Sequence, residues 1–269
     1  MSSNSYKFYA GEGPVVAVAL HSSHEVRSDL EPLFNLSNSE RLREEDPHTD
    51  LFTAIVPTRI VVKKSRFEID LNRERSLAVY RKPEDAWGLN VWKEYPDDEM
   101  VEKSLAIYDR FYAESKIFLR SIILKYGYVV VFDIHSYNHM REGPHSEPAD
   151  PSTNPDINLG TENLNRQVWG QLVDGLTKDL RAFKYTGGQL SVGENIRFKG
   201  GHYSQWIQQE FGDQSCAIAI EFKKIFMNEW THELDPVKLK SLYRALNSTL
   251  PGLLTHRNEI AELYAGDLK

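Results

Sequence analysis

One cysteine, Cys216, stands among 269 residues, so no intramolecular disulfide can form and a reducing cytoplasm is the expected setting. The Met-Ser-Ser-Asn-Ser start lacks the basic and apolar regions of a secretory signal. No stretch reaches the roughly eighteen apolar residues of a membrane span. Basic residues are not in excess: 32 Lys and Arg against 39 Asp and Glu give a formal net charge of −7. That balance excludes the broad basic footprint of a nucleic-acid binder, although a small anionic ligand needs only a few cations in a cleft. No internal repeat and no linker divides the chain, so one domain over 1–269 is expected, with residues 1–12 as a flexible tail. Ser136 lacks a nucleophile-elbow sequence, which argues against a serine hydrolase. Cys216 lies in a run of small apolar residues without a basic neighbour, as an inert buried thiol would.

What is present is an ordinary globular composition, 41% hydrophobic and 26% charged. Residues 14–20 (PVVAVAL) form a short β-branched run that ends at His21. Residues 58–63 (TRIVVK) read as a second strand, and 67–71 (FEIDL) alternate apolar with acidic like a third. From 97 to 126 the apolar residues follow a helical period, with Gly127 as the C-cap. Residues 128–134 (YVVVFDI) are continuously apolar, as in a central strand covered on both faces, and end at His135.

A long loop is expected over 138–158, dense in Pro, Gly, Asp and Ser. Helices follow over 162–183 and 204–211, flanking a turn at 199–203. Residues 215–222 (SCAIAIEF) read as a strand with Glu221 near its end, and 235–264 as a helical tail interrupted at Pro251 and Gly252. Strands alternating with helices indicate a three-layer α/β fold: a mixed, mainly parallel sheet with helices on both faces. Sites in such folds sit beyond the carboxyl ends of strands.

His21, His135 and Glu221 each stand at the outlet of an expected central strand, where they can converge on one crevice. Two imidazoles there can hold a divalent metal, and a third ligand from the acidic cluster 43–50 leaves an open position for catalysis. Spacing does not choose among Glu44, Glu45, Asp46 and Asp50. The plainer readings are a solvated acidic turn and hydrogen-bonded structural histidines. His24, three residues after His21, is the competitor for the first ligand. Asn72 beside Arg73 can grip a carboxylate, against the alternative that Asp70 and Arg73 form a surface ion pair. Around the Gly200–Gly201 pair, Arg197 and Lys199 can face a second carboxylate, or else decorate a solvated turn. Arg66 can stabilise an oxyanion or bind a carboxylate, and Asp133 can orient a neighbouring group or cap its strand.

Taken in order, His21-Ser22-Ser23, Asp46, the run 65–73 (SRFEIDLNR), Asp133-Ile134-His135-Ser136, residues 158–161 (NLGT), residues 197–202 (RFKGGH) and Ala219-Ile220-Glu221 resemble the motifs of the N-formylglutamate amidohydrolase family. The resemblance spans about 15–229 and departs from the usual pattern at Leu20 and Ser23. It implies a zinc carboxypeptidase-like (phosphorylase/hydrolase-like) fold and one Zn2+ ion held by His21, Asp46 and His135. It further implies Glu221 as general base and Asn72 and Arg73 on the substrate's α-carboxylate. With Arg66 beside the oxyanion, and Arg197, Lys199 and His202 near the substrate, the expected reaction is hydrolysis of an N-formyl or other N-acyl amide of a small anionic amino acid. A zinc peptidase or cell-wall amidase, and a non-catalytic dicarboxylate sensor, are the alternatives. A monomer or small homo-oligomer without nucleic-acid or membrane partners is expected.

Overall fold

A computed structural model describes residues 5–253 and residue 255. In chain order the strands are β1 (Tyr6–Tyr9), β2 (Val15–Ala19), β3 (Arg59–Val62), β4 (Val129–Tyr137), β5 (Ile157–Gly160), β6 (Lys184–Tyr185), β7 (Gly188–Gln189), β8 (Val192–Glu194) and β9 (Ser215–Lys223). The helices are α1 (Asn38–Glu44), α2 (Thr49–Phe52), α3 (Asp98–Tyr126), α4 (Arg166–Ala182), α5 (His202–Phe211) and α6 (Pro236–Ser248). Seven strands make one sheet in the order β1-β3-β2-β4-β9-β5-β8, while β6 and β7 form a separate hairpin. Strands β3, β2, β4 and β9 run parallel. β1 is antiparallel to β3, and β5 is antiparallel to β9. The mixed, mainly parallel sheet is therefore as expected.

The apolar runs of β2 and β4 do not alternate because both faces of the sheet are covered. Val16, Val18, Val129 and Val131 join a core with Phe111, Leu119 and Ile207 from α3 and α5. On the other face Ala17, Val130, Phe132 and Ile218 join Trp169, Leu172 and Leu242 from α4 and α6. Cys216 is buried in that second core, where burial pushes its thiol up. α3 starts where the Asp97 side chain accepts from Met100 N at 2.8 Å. It stops at Gly127, whose φ of 80° suits glycine and whose N–H donates to Ile123 O at 2.7 Å.

Three expectations are corrected. Tyr6–Tyr9, placed in the tail, forms β1, because Tyr6 buries its ring edge-on against Phe111 while the backbone pairs with β3. Residues 67–71 are not a strand. Their acidic positions are buried like their apolar ones, since Glu68 accepts from Arg27 N and Asp70 is ringed by donors, so the segment threads the interior as a loop. The tail helix breaks at Thr249, ahead of Pro251, and residues 256–264 lie outside the described residues. Among the described residues no helix is long and apolar enough to cross a membrane.

Candidate metal and active site

Neighbouring parallel strands β2 and β4 deliver two imidazoles to the same end of the sheet. His21 leaves β2 just past its end, and His135 lies within β4, with ring centroids 5.0 Å apart. Glu221 is the β9 residue in register with His135. Asp46 arrives from the short connection between α1 and α2. Its N–H donates to His21 O at 3.0 Å, and its carbonyl accepts from Thr49 Oγ1 at 2.7 Å, so the residue is held on both sides.

Asp46 Oδ2 lies 3.5 Å from His21 Nδ1 and 3.1 Å from His135 Nδ1, and one donor atom from each of the three residues lies within 4.8 Å of the others. Donors about 2 Å from an ion at tetrahedral angles stand about 3.3 Å apart, so the spacing fits a first-row divalent ion. All three side chains are buried, yet His21 Nδ1 has no hydrogen-bond partner. Both remaining ring nitrogens meet carboxylates: His21 Nε2 is 2.8 Å from Asp70 Oδ1, and His135 Nε2 is 3.0 Å from Asp133 Oδ1. Such carboxylate partners fix the ring orientation of metal-binding histidines, leaving both Nδ1 atoms to face a common point. His24 is not the competitor it looked in sequence, because its Nδ1 is 2.6 Å from Glu45 Oε2.

Charge is concentrated here. Burial would raise Asp46, but the hydrogen bond with His135 and the charge of His135 and His21 hold it well below the usual carboxylate range. Burial would lower His135, but Asp133 and Asp46 hold its imidazole well above the ordinary value. Burial likewise opposes Asp70, which Arg66 and His21 nevertheless draw well down. For Glu221 desolvation wins: the carboxyl is pushed up to about 7, opposed by His135 and reinforced by Asp46 and Asp133.

A cavity of about 410 Å³ opens over this group. Arg66 forms part of its wall, with its guanidinium committed to Tyr80 OH at 3.1 Å, Asp70 Oδ2 at 2.9 Å and Glu44 O at 3.3 Å. The Trp87 ring lies 4.6 Å from that guanidinium. Asn72 also lines the cavity, its Oδ1 accepting from Tyr203 N at 2.9 Å. Gly201 is required beneath it, since a Cβ there would collide with the Asn72 amide. Asn158 shapes the loop carrying Arg197 and Lys199. Its Oδ1 accepts from Arg197 N at 2.9 Å, and its Nδ2 donates to Phe198 O at 2.7 Å. Arg197 lies 5.6 Å from the Tyr137 ring, and Lys199 pairs with Glu162 at 2.8 Å.

Two expected substrate residues do not reach the cavity lining. Arg73 turns its Nε to Asp70 Oδ2 at 3.4 Å, the ion pair weighed as the alternative, although the Asp70 end is buried and not at the surface. His202 turns its Nε2 to Tyr108 OH at 3.2 Å. The lining also includes residues that sequence reasoning did not single out: Trp87, Tyr137, Asn138, Arg141 and Lys224. Only Lys224 carried a usable signal, being a charged residue directly after an apolar strand that already bears Glu221.

The fold matches known structures over nearly its whole length. A crystal structure of N-formylglutamate amidohydrolase from Ralstonia eutropha JMP134 superposes with a TM-score of 0.71 at 18% identity, covering 98% of this chain and 100% of that one. A gene product of Agrobacterium tumefaciens superposes with a TM-score of 0.64 at 16% identity, covering 93% and 96%. None of the curated proteins compared matches the sequence significantly. The family model for N-formylglutamate amidohydrolase matches residues 13–227, a span that contains His21, Asp46, His135 and Glu221. The chain is an amidohydrolase and belongs to the N-formylglutamate amidohydrolase family.

Proposed function

We propose that the chain hydrolyses the formyl amide bond of N-formyl-L-glutamate, or of a closely related N-acyl amino acid, with one divalent metal ion, zinc first, held by His21, Asp46 and His135. The observation that carries this reading is the buried three-donor group in which His21 Nδ1 makes no hydrogen bond, placed beside the elevated carboxyl of Glu221. Two nitrogens and one carboxylate oxygen are a donor set suited to zinc. A bound ion supplies Lewis-acid polarisation of the amide carbonyl and lowers the pKa of an attacking water.

Glu221 does the proton work. Its carboxylate takes a proton from water as the carbonyl carbon is attacked, then returns it to the departing amine nitrogen as the C–N bond breaks. The products are formate and the free amino acid. Arg66, fixed by its three acceptors, presents positive charge to the oxyanion without needing to reorganise. Asn72, Arg197 and Lys199 on the cavity wall bind the substrate's carboxylates. Arg73 serves the site indirectly, by holding Asp70.

The test is formate or acid release from N-formyl-L-glutamate compared with N-acetyl, N-succinyl and peptide analogues. Highest kcat/KM on the N-formyl compound is expected. Preferred turnover of peptides would favour the peptidase reading, and tight dicarboxylate binding without turnover would favour a sensor.

A further inference from the structure

Lys224 is almost fully buried, at 1% exposure, and lies on the wall of the active-site cavity one residue beyond β9. A buried ammonium on the same cavity wall as a proposed catalytic carboxylate invites a role on the substrate. Its hydrogen bonds exclude that. Lysine has three N–H donors and no more, and Lys224 Nζ donates to Arg43 O at 2.6 Å, Glu45 O at 2.8 Å and Asn138 Oδ1 at 2.9 Å. None remains for a ligand.

Two of those acceptors belong to the C-terminal end of α1 and the residue that follows it. The last carbonyls of a helix have no partner within it, and burying them unpaired is costly. Arg41 O is satisfied by Glu45 N at 3.0 Å. Arg43 O and Glu45 O take Lys224, and Glu44 O between them takes Arg66 Nη1 at 3.3 Å. Three successive carbonyls are thus capped by two cations, the favourable sign for the negative end of the helix dipole. The next residue is Asp46. Asn138 tightens the same knot, since its Nδ2 donates to Glu44 Oε1 at 3.1 Å while its Oδ1 accepts from Lys224.

We infer that Lys224 is a positioning residue: by capping the end of α1 it fixes the peptide that carries Asp46 and so sets the third corner of the donor group. This rests on the reading of Asp46 as a metal ligand. β9 then contributes twice to the site, through Glu221 inside the strand and through Lys224 just past it.

The test uses Lys224→Met in the full chain, which keeps the length of the side chain and removes its donors. Two quantities are read: hydrogen exchange across residues 43–50 in chelated protein, and the zinc dissociation constant by competition with a chromophoric chelator. Exchange at the Asp46 and Thr49 amides is expected to quicken about tenfold while β4 and β9 stay protected. The zinc dissociation constant is expected to rise about 10- to 100-fold. Wild-type exchange at Asp46 overturns the inference, as does an equal loss of protection in β4 and β9, which would mark a general stabiliser. An unchanged zinc constant overturns it as well. Should Lys224→Met fail to fold, Lys224→Gln removes the charge and one of the three donors, and wild-type exchange at Asp46 in it overturns the inference too. If the unaltered protein binds no zinc, the metal reading of the site fails, and exchange at Asp46 alone then decides the role of Lys224.

Discussion

Whether Glu221 can act as a base depends on where its proton sits near neutrality. Desolvation raises the carboxyl to about 7, so the base form grows in over the working range. A cation held beside the carboxyl lowers that value, so the expected kcat/KM profile has a low-pH limb with its midpoint below about 7, falling about tenfold per pH unit below it. Glu221→Gln should keep the metal and lose about 10²- to 10⁴-fold in kcat, as read by formate release alongside metal analysis. Stability supplies a second check. The folded pKa lies above the unfolded value of about 4.3, so between these limits the folded protein keeps a proton that the unfolded chain releases. The contribution is full below about pH 4.3 and is lost as pH rises through 7. Metal-free Glu221→Gln should therefore melt higher than metal-free wild type at pH 8 and alike at pH 4. Equal melting temperatures at pH 8 would show that Glu221 is not strained by ionisation.

His21, His135 and Glu221 were legible in sequence because each stands at or near the end of an apolar run, and a strand buried on both faces brings such residues to the open end of the sheet. The partner of His21 was not. Asp70 could have served Arg73 alone, and sequence contains nothing about ring orientation that would assign it to His21 Nε2.

At the scale of elements, the cavity depends on close approach between the loop before α5 and the segment that carries Asn72. Gly201→Ala drives a Cβ into the Asn72 amide, which is also tied to Tyr203 N. A loss of about 1–3 kcal/mol in stability, with a raised KM, is expected from melting and steady-state kinetics. Gly170, inside α4, would bring a Cβ only into ordinary contact with Arg166 Nε at 3.9 Å. Gly170→Ala should gain up to about 1 kcal/mol and leave KM unchanged. Loss of stability in both would refute the steric account. β2, β4 and β9 were readable because continuous apolar runs of strand length mark buried strands, and α3 because its helical period is sustained over many turns. β1 and the 67–71 loop were not, since a four-residue edge strand carries too little pattern and the buried carboxylates of the loop imitate a strand facing water.

Across the whole molecule the three proposed ligands are distant in sequence, at positions 21, 46 and 135, and join β2, the α1–α2 connection and β4. An ion held by them would cross-link three parts of the fold that the unfolded chain does not bring together. Binding should therefore stabilise the folded state, by about 2.7 kcal/mol at a hundred times the dissociation constant. The neighbouring family fold, shared at 18% identity, shows that this scaffold tolerates extensive sequence change.

The most direct measurement is a zinc titration of chelator-treated protein, following formate release from N-formyl-L-glutamate and bound metal together. Turnover absent without metal and restored at one ion per chain, with His135→Ala losing both metal and turnover, is the expected result. Full turnover by metal-free protein would contradict the account.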